Sequence, residues 1–304
     1  MASPDAESVV PGFEPKSTNP GSFDELHRKA KDVFPTCFEG AKVMVQKGLS
    51  AHFQVTHTLS ISAMNTGYRF GATYVGQNQV GPQEAFPIFL GDTDVAGNTS
   101  ATIIHQFAQK YRMRLLGQIQ QGKLAGAQGS FERRGRLSTL GLTFANIDLV
   151  NESGILVGQY LRRLTQKLDL GAELVYQYGK QVPGSQITVL SYVGRYTTDF
   201  WTAAATFGVT GAHLTYYHKQ NENLAFGVEF ECNSNVGEAV TTLAYQAELP
   251  EEGVTMRSSI DTNWTVSGVF EKKLSRQLPF TLALSGLYSH VKAAGKFGVG
   301  LIIG

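Results

Sequence analysis

The chain has 304 residues, a net charge of +1, 42% hydrophobic and only 17% charged residues, with 33 glycines against 10 prolines. Such a balance lacks the clustered positive charge of a nucleic-acid-binding protein, and two cysteines far apart in sequence, Cys37 and Cys232, exclude a disulfide framework. No stretch offers the roughly 20 apolar residues of a membrane-spanning helix. One uncharged candidate, Phe200 to Tyr217, is rich in Thr, Gly and aromatics, and it reads as two strands joined near Gly208 to Gly211.

In chain order, residues 1–21 read as a disordered leader. It is acidic and has neither the apolar core of a secretory signal nor the Arg-rich, acid-free composition of a transit peptide. Residues 22–47 read as an N-terminal helical segment. Ser22 and Glu25 have capping-box spacing. Phe23, Leu26, Ala30, Val33 and Phe34 fall close to one face, Arg28, Lys29 and Lys31 suit the C-terminal end, and Pro35 stops the helix.

From Gly48 to Gly304 the period is two. Leu49, Ala51, Phe53, Val55, Leu59 and Ile61 share one face, whereas Ser50, His52, Gln54, Thr56, Thr58 and Ser60 share the other. The alternation returns in 168–178, 224–232, 264–270 and 280–288, with turn-like breaks at LRRLTQKL, KQNENL, LPEEG and SRQLP. A strand crosses a bilayer in about 9–11 residues and shows lipid only every second side chain. A mean hydropathy of -0.12 fits that pattern. Counting along the chain gives 18 strands, with 86–91 readable as strand or turn. The fold class is therefore all-β, a transmembrane β-barrel. A propeller would show blade repeats of about 40–45 residues, and a sandwich rarely needs so many strands of equal length.

Enzyme motifs fail on inspection. Gly117 to Lys123 has P-loop spacing, but Leu124 stands where Ser or Thr must hold magnesium, and no helix follows. His213 and His218, like His52 and His57, are five apart and so point to opposite faces of a strand. No metal site, cofactor or catalytic set is expected.

With no export signal in view, the outer membrane of a eukaryotic organelle is the expected destination. The terminal strand carries Lys296, Gly298, Leu301 and Ile303. This pattern resembles the sorting signal of mitochondrial outer-membrane barrels, and Gly298, Leu301 and Ile303 are expected to form one recognition face. The segments NPGSFDELHRKAKDVFP (19–35), EGAKVMVQKGLSAHFQVTHTLSIS (39–62), YRFGATYVG (68–76), EAFPIFLGDTD (84–94), SGILVGQYL (153–161), LGAELVYQYG (170–179), TYYHK (215–219), FGVEFE (226–231) and FEKKL (270–274) resemble, in order, the channel-forming core subunit of the mitochondrial outer-membrane protein translocase, a member of the mitochondrial porin superfamily. The leader is shorter than the Pro-rich extensions of many animal members.

The resemblance implies 19 strands, the first and last parallel, and an N-terminal helix inside the lumen. It implies a multi-pass protein of the mitochondrial outer membrane that imports unfolded precursors with basic presequences. Its partners would be those precursors, receptor and small helical subunits, the phospholipid bilayer, and further barrels in a homodimer or larger assembly; no nucleic acid is expected. The alternative is the voltage-dependent anion channel, a metabolite porin of the same membrane, which calls for a basic lumen. Alternation instead puts Asp169, Glu173, Glu229 and Glu231 on polar faces, an acidic presequence path, while Arg112 and Arg114 with Gln118 make a basic and polar patch.

Overall fold

The computed structural model describes residues 19–304 apart from 64–65, 80–84, 109, 149–151, 181, 183, 235 and 276–278. Positions 1–18 of the expected leader therefore lie outside the described residues. The strands begin with β1 Gly40–Gly48, β2 Phe53–Ile61, β3 Gly67–Gln79, β4 Ala85–Asp94, β5 Thr99–Phe107 and β6 Tyr111–Gln120. They continue with β7 Lys123–Arg134, β8 Ser138–Asp148, β9 Ser153–Arg163, β10 Leu168–Tyr178, β11 Gln186–Thr197 and β12 Trp201–Gly208. The rest are β13 Gly211–Lys219, β14 Leu224–Asn233, β15 Glu238–Leu249, β16 Val254–Asp261, β17 Thr265–Lys273, β18 Phe280–Ser289 and β19 Ala294–Ile303.

All 19 strands belong to one sheet, and β1 pairs with both β2 and β19, so the sheet closes on itself. Successive strands are antiparallel; an odd number of them forces the first and last to run the same way. The β1–β19 pair is accordingly parallel, from Gly40 opposite Gly298 to Val45 opposite Ile303. Closure leaves no unpaired edge, which is what permits a sheet to sit in lipid. No helix among the described residues is long and apolar enough to cross a membrane.

The count along the sequence falls one short because it starts at Gly48. The missing strand is β1, in the stretch assigned to the helical segment. Its alternation is present, with Lys42, Met44 and Gln46 on one face and Ala41, Val43 and Val45 on the other, but nine residues directly after a helix read as its continuation. The run 86–91 is strand, within β4, where the register with β3 shifts between Val75 and Asn78.

Side-chain parity separates two walls. Leu170, Leu174, Tyr192, Phe207, Phe226 and Phe297 point one way and are exposed, between 41% and 65%. The opposite parity carries Asp169, Arg195, Thr206, Thr215, Glu229, Ser285 and Gly298, and residues 19–40 touch each of these except Asp169, which they reach through Arg195. A single segment reaches the same face of strands from β8 to β19 only from within the barrel. The N-terminal segment therefore lies inside the lumen.

The helix expected over 22–34 is broken there. A 3-10 turn spans Phe23–Glu25 and a single α-helical turn, α1, spans Arg28–Lys31. The Glu25 carboxylate accepts the Ser22 N–H at 3.2 Å, the reach-back half of a capping box. Leu26, Ala30 and Val33 are 2–3% exposed. Leu26 packs with Leu161 and Val193, and Phe23 lies against that cluster. Wall contacts take over from the helical ladder at the break: His27 precedes α1 and bonds Thr206 and Thr215 through its ring. Gly227 on β14 leaves the space, since a Cβ there would meet the Ala30 carbonyl at 3.1 Å and Val33 and Phe34 at 3.3 Å. Burying Leu26 and Val33 contributes about 2 kcal/mol each, enough to hold a short segment against the wall.

Candidate functional site on the inner wall

The four acids of the expected path all point inward, yet the structure divides them. On β10, Asp169 accepts from Arg163 Nε at 2.8 Å and from Arg195 Nη2 at 2.6 Å. The same Arg195 donates to the Pro20 carbonyl. Asp169 is 1% exposed. Its assignment to an open path is corrected: period two gives the direction of the carboxylate but not the two guanidinium groups and the N-terminal segment that cover it.

Glu173, four residues on, accepts from Gln159 Nε2 at 2.6 Å. It lines a cavity of about 260 Å³ between the wall and Ser22, Phe23 and Asp24, shared with Arg114, Gln128, Glu132 and Gln159. Arg114 and Gln118 are exposed on the inner side of β6. Arg112 is half-buried and holds its guanidinium 5.8 Å from the Phe86 ring.

On β13 and β14, His213 Nε2 meets Glu229 Oε1 at 2.7 Å, and the Lys31 ammonium lies 3.5 Å from that same oxygen. Glu231 stands 3.7 Å from His213 with its side chain 63% exposed, so it is the most open of the four. The His27 ring tilts against His213 with centroids 4.1 Å apart. Burial, then the neighbouring His213 and Lys31, push the pKa of His27 down to about 4. Sequence spacing did not anticipate this cluster, because His213 finds its carboxylates across the strand pair and not along its own strand. His213, Glu229 and Glu231 are close enough to share a cation, but Lys31 already supplies positive charge to Glu229. His218 points to the other face, against Tyr216, as the five-residue spacing requires.

Further inward acids went unremarked in the sequence, Glu132 on β7 and two on β4 among them. Asp92 on β4 accepts from Ser100 Oγ and lies 3.4 Å from Arg69 Nη1, and Asp94 shares its parity. The period-two pattern of FLGDTD was the available signal.

The terminal-strand residues do not form one face. Lys296 and Gly298 point into the lumen, where Lys296 Nζ pairs with Glu39 at 3.2 Å and Gly298 faces Phe38. Leu301 and Ile303 have the opposite parity and point to lipid beside Val43 and Val45. An odd separation along a strand cannot keep Gly298 and Leu301 together.

A family profile for eukaryotic porins matches residues 19–300. A mitochondrial import receptor subunit TOM40 homolog of Caenorhabditis elegans is 77% identical over 304 residues, covering 100% of both chains. The Drosophila melanogaster TOM40 homolog 2 is 48% identical, over 96% of this chain and 86% of its own. The Homo sapiens TOM40 homolog is 44% identical over 94% of this chain and 78% of its own. A 19-stranded closed barrel with its N-terminal segment in the lumen thus belongs to the eukaryotic porin family, among the TOM40 homologues.

Proposed function

We propose that the barrel conducts unfolded precursor proteins with basic presequences across the mitochondrial outer membrane. The relatives' name as mitochondrial import receptor subunits carries the reading, and it sets aside the anion-channel alternative. The size of the barrel supports it. Nineteen strands about 4.8 Å apart and tilted near 40° give a backbone diameter of roughly 35–40 Å. Even with residues 19–40 inside, a helix about 10–12 Å across fits. A folded domain of about 100 residues, with a radius of gyration near 13 Å, does not.

Movement along such a wall requires contacts weak enough to release. Glu231 and Glu173, with Glu229 behind Lys31, offer carboxylates to a basic presequence, while Arg114 supplies the opposite charge and Gln118 a neutral polar surface. Each exposed carboxylate contributes at most about 1 kcal/mol, and screening within about 8 Å confines its action to a chain that follows the wall. Receptor and small helical subunits, and neighbouring barrels, would dock on the lipid-facing side.

Reconstituted in planar bilayers, the full chain should give cation-preferring currents that a basic presequence peptide blocks. Anion-selective currents indifferent to the peptide would overturn the reading.

A further inference from the structure

The chain does not enter β1 from outside the barrel. It crosses the inner face of β17–β19 first, and three contacts mark the crossing. Cys37 Sγ lies 3.6 Å from the Gly286 carbonyl, the Phe38 N–H donates to Ser285 Oγ at 2.9 Å, and Glu39 pairs with Lys296 at 3.2 Å. Ser285 is 1% exposed beneath this crossing. Gly40 then turns with φ +81°, and a Cβ there would strike the Ile61 carbonyl. The next residues form the only parallel pair among the described strands.

Phe38 has a shaped seat. On β19 the two inward positions facing it are both glycine. A Cβ on Gly298 would collide with the Phe38 carbonyl and stand 2.8–2.9 Å from two ring carbons. A Cβ on Gly300 would meet the ring Cζ at 3.0 Å and Ala283 at 3.5 Å. Both glycines sit in strand, where glycine costs stability relative to a side chain that packs. That cost has a reason if Phe38 occupies the space. Parallel pairing is also slightly weaker per residue than antiparallel, so the β1–β19 seam is the place where additional support matters.

We propose that residues 37–40 are a strap, that Phe38 seats on Gly298 and Gly300, and that this seating holds the β1–β19 seam closed. Gly298 is then a positioning residue for closure, whatever its part in targeting. The two glycines make separable demands: Gly300 leaves room for the ring alone, whereas Gly298 also leaves room for the backbone carbonyl.

The test uses the full chain, refolded into detergent and into bilayers, with Cys37→Ser and Cys232→Ser. Cysteines at Val43 and Leu301, opposite each other across the seam, are oxidised at rising urea. A second pair at Leu174 and Leu190, across β10–β11, reports general unfolding. Phe38→Ala, and more mildly Ser285→Ala, should lower the urea concentration at which seam cross-linking is lost while leaving the β10–β11 pair unchanged. Gly300→Val should reduce seam cross-linking at least about threefold with Phe38 present and have little effect with Phe38→Ala, a coupling expected only of groups in contact. Gly298→Ala should reduce it in both backgrounds, because the carbonyl remains. Equal effects of Gly300→Val in the two backgrounds, or a seam indifferent to Phe38→Ala, would overturn the proposal. A recognition role for the terminal strand, by contrast, would show as slowed assembly into mitochondria with an unaltered seam in the refolded protein.

Discussion

Two corners of the inner wall carry carboxylates under the same N-terminal segment, and they are built for different ends. At Asp169 two arginines and the Pro20 carbonyl seal a charge network that a passing chain cannot touch. At Glu229 and Glu231 one carboxylate is shared between a wall histidine and a segment lysine, and its neighbour stays in the open lumen. The first corner anchors the segment at Pro20. The second leaves charge available, and its occupancy depends on the segment staying docked. Facing the pore is therefore not the same as serving it.

The sharpest way to separate the corners is Asp169→Asn. It strands two guanidinium groups in a nearly dry site, and losing one partner of a buried ion network costs about 3–5 kcal/mol. Urea denaturation in detergent should show a large loss, while peptide block of channels that do fold should be unchanged. A variant as stable as the parent would erase the distinction between the corners.

Glu229→Gln should act on docking. It weakens a charge-assisted contact to His213 and removes the partner of Lys31, an effect on the order of 1.5–3 kcal/mol. Cysteines at Leu26 and Val193, which pack together, should cross-link less in this variant, with the barrel itself intact.

Acid should loosen the same docking by a smaller amount. Above pH 6.5 His27 is neutral whether docked or free, so docking does not vary. Between 6.5 and about 4 only the freed segment takes up the proton, and docking weakens as pH falls. The Leu26–Val193 cross-link, followed with a reagent whose own chemistry is insensitive to pH, should decline across that window. His27→Asn should flatten the curve.

The smallest effect belongs to the open carboxylate. Glu231→Gln should weaken block by a basic presequence peptide by at most about fivefold at low salt, fading at high salt as screening replaces the lost attraction. A similar loss with a peptide lacking basic residues would deny Glu231 a part in charge recognition.

Period two made most of this legible in the sequence. It gave β10, β14 and β18 nearly to the residue, placed the turn between β12 and β13, and set the inward parity of every acid and base named for the path. It failed where strand meets helix: β1 was read as part of the helical segment. Parity also says nothing about what lies above a side chain. The Asp169–Arg195 pair spans 26 residues and the His27–Thr215 contact 188, distances that only register and closure bring together. The break in the helix has the same origin, since the partners that compete with its backbone ladder are on the wall.

The parallel seam has one more consequence, for orientation. Because β1 and β19 start at the same membrane face, the start of β1 at Gly40 and the end of β19 at Ile303 lie toward opposite faces. A label attached beyond Gly304 therefore samples the aqueous space opposite the mouth at which the strap turns into β1, so one C-terminal protease-protection assay fixes the polarity of all 19 strands at once.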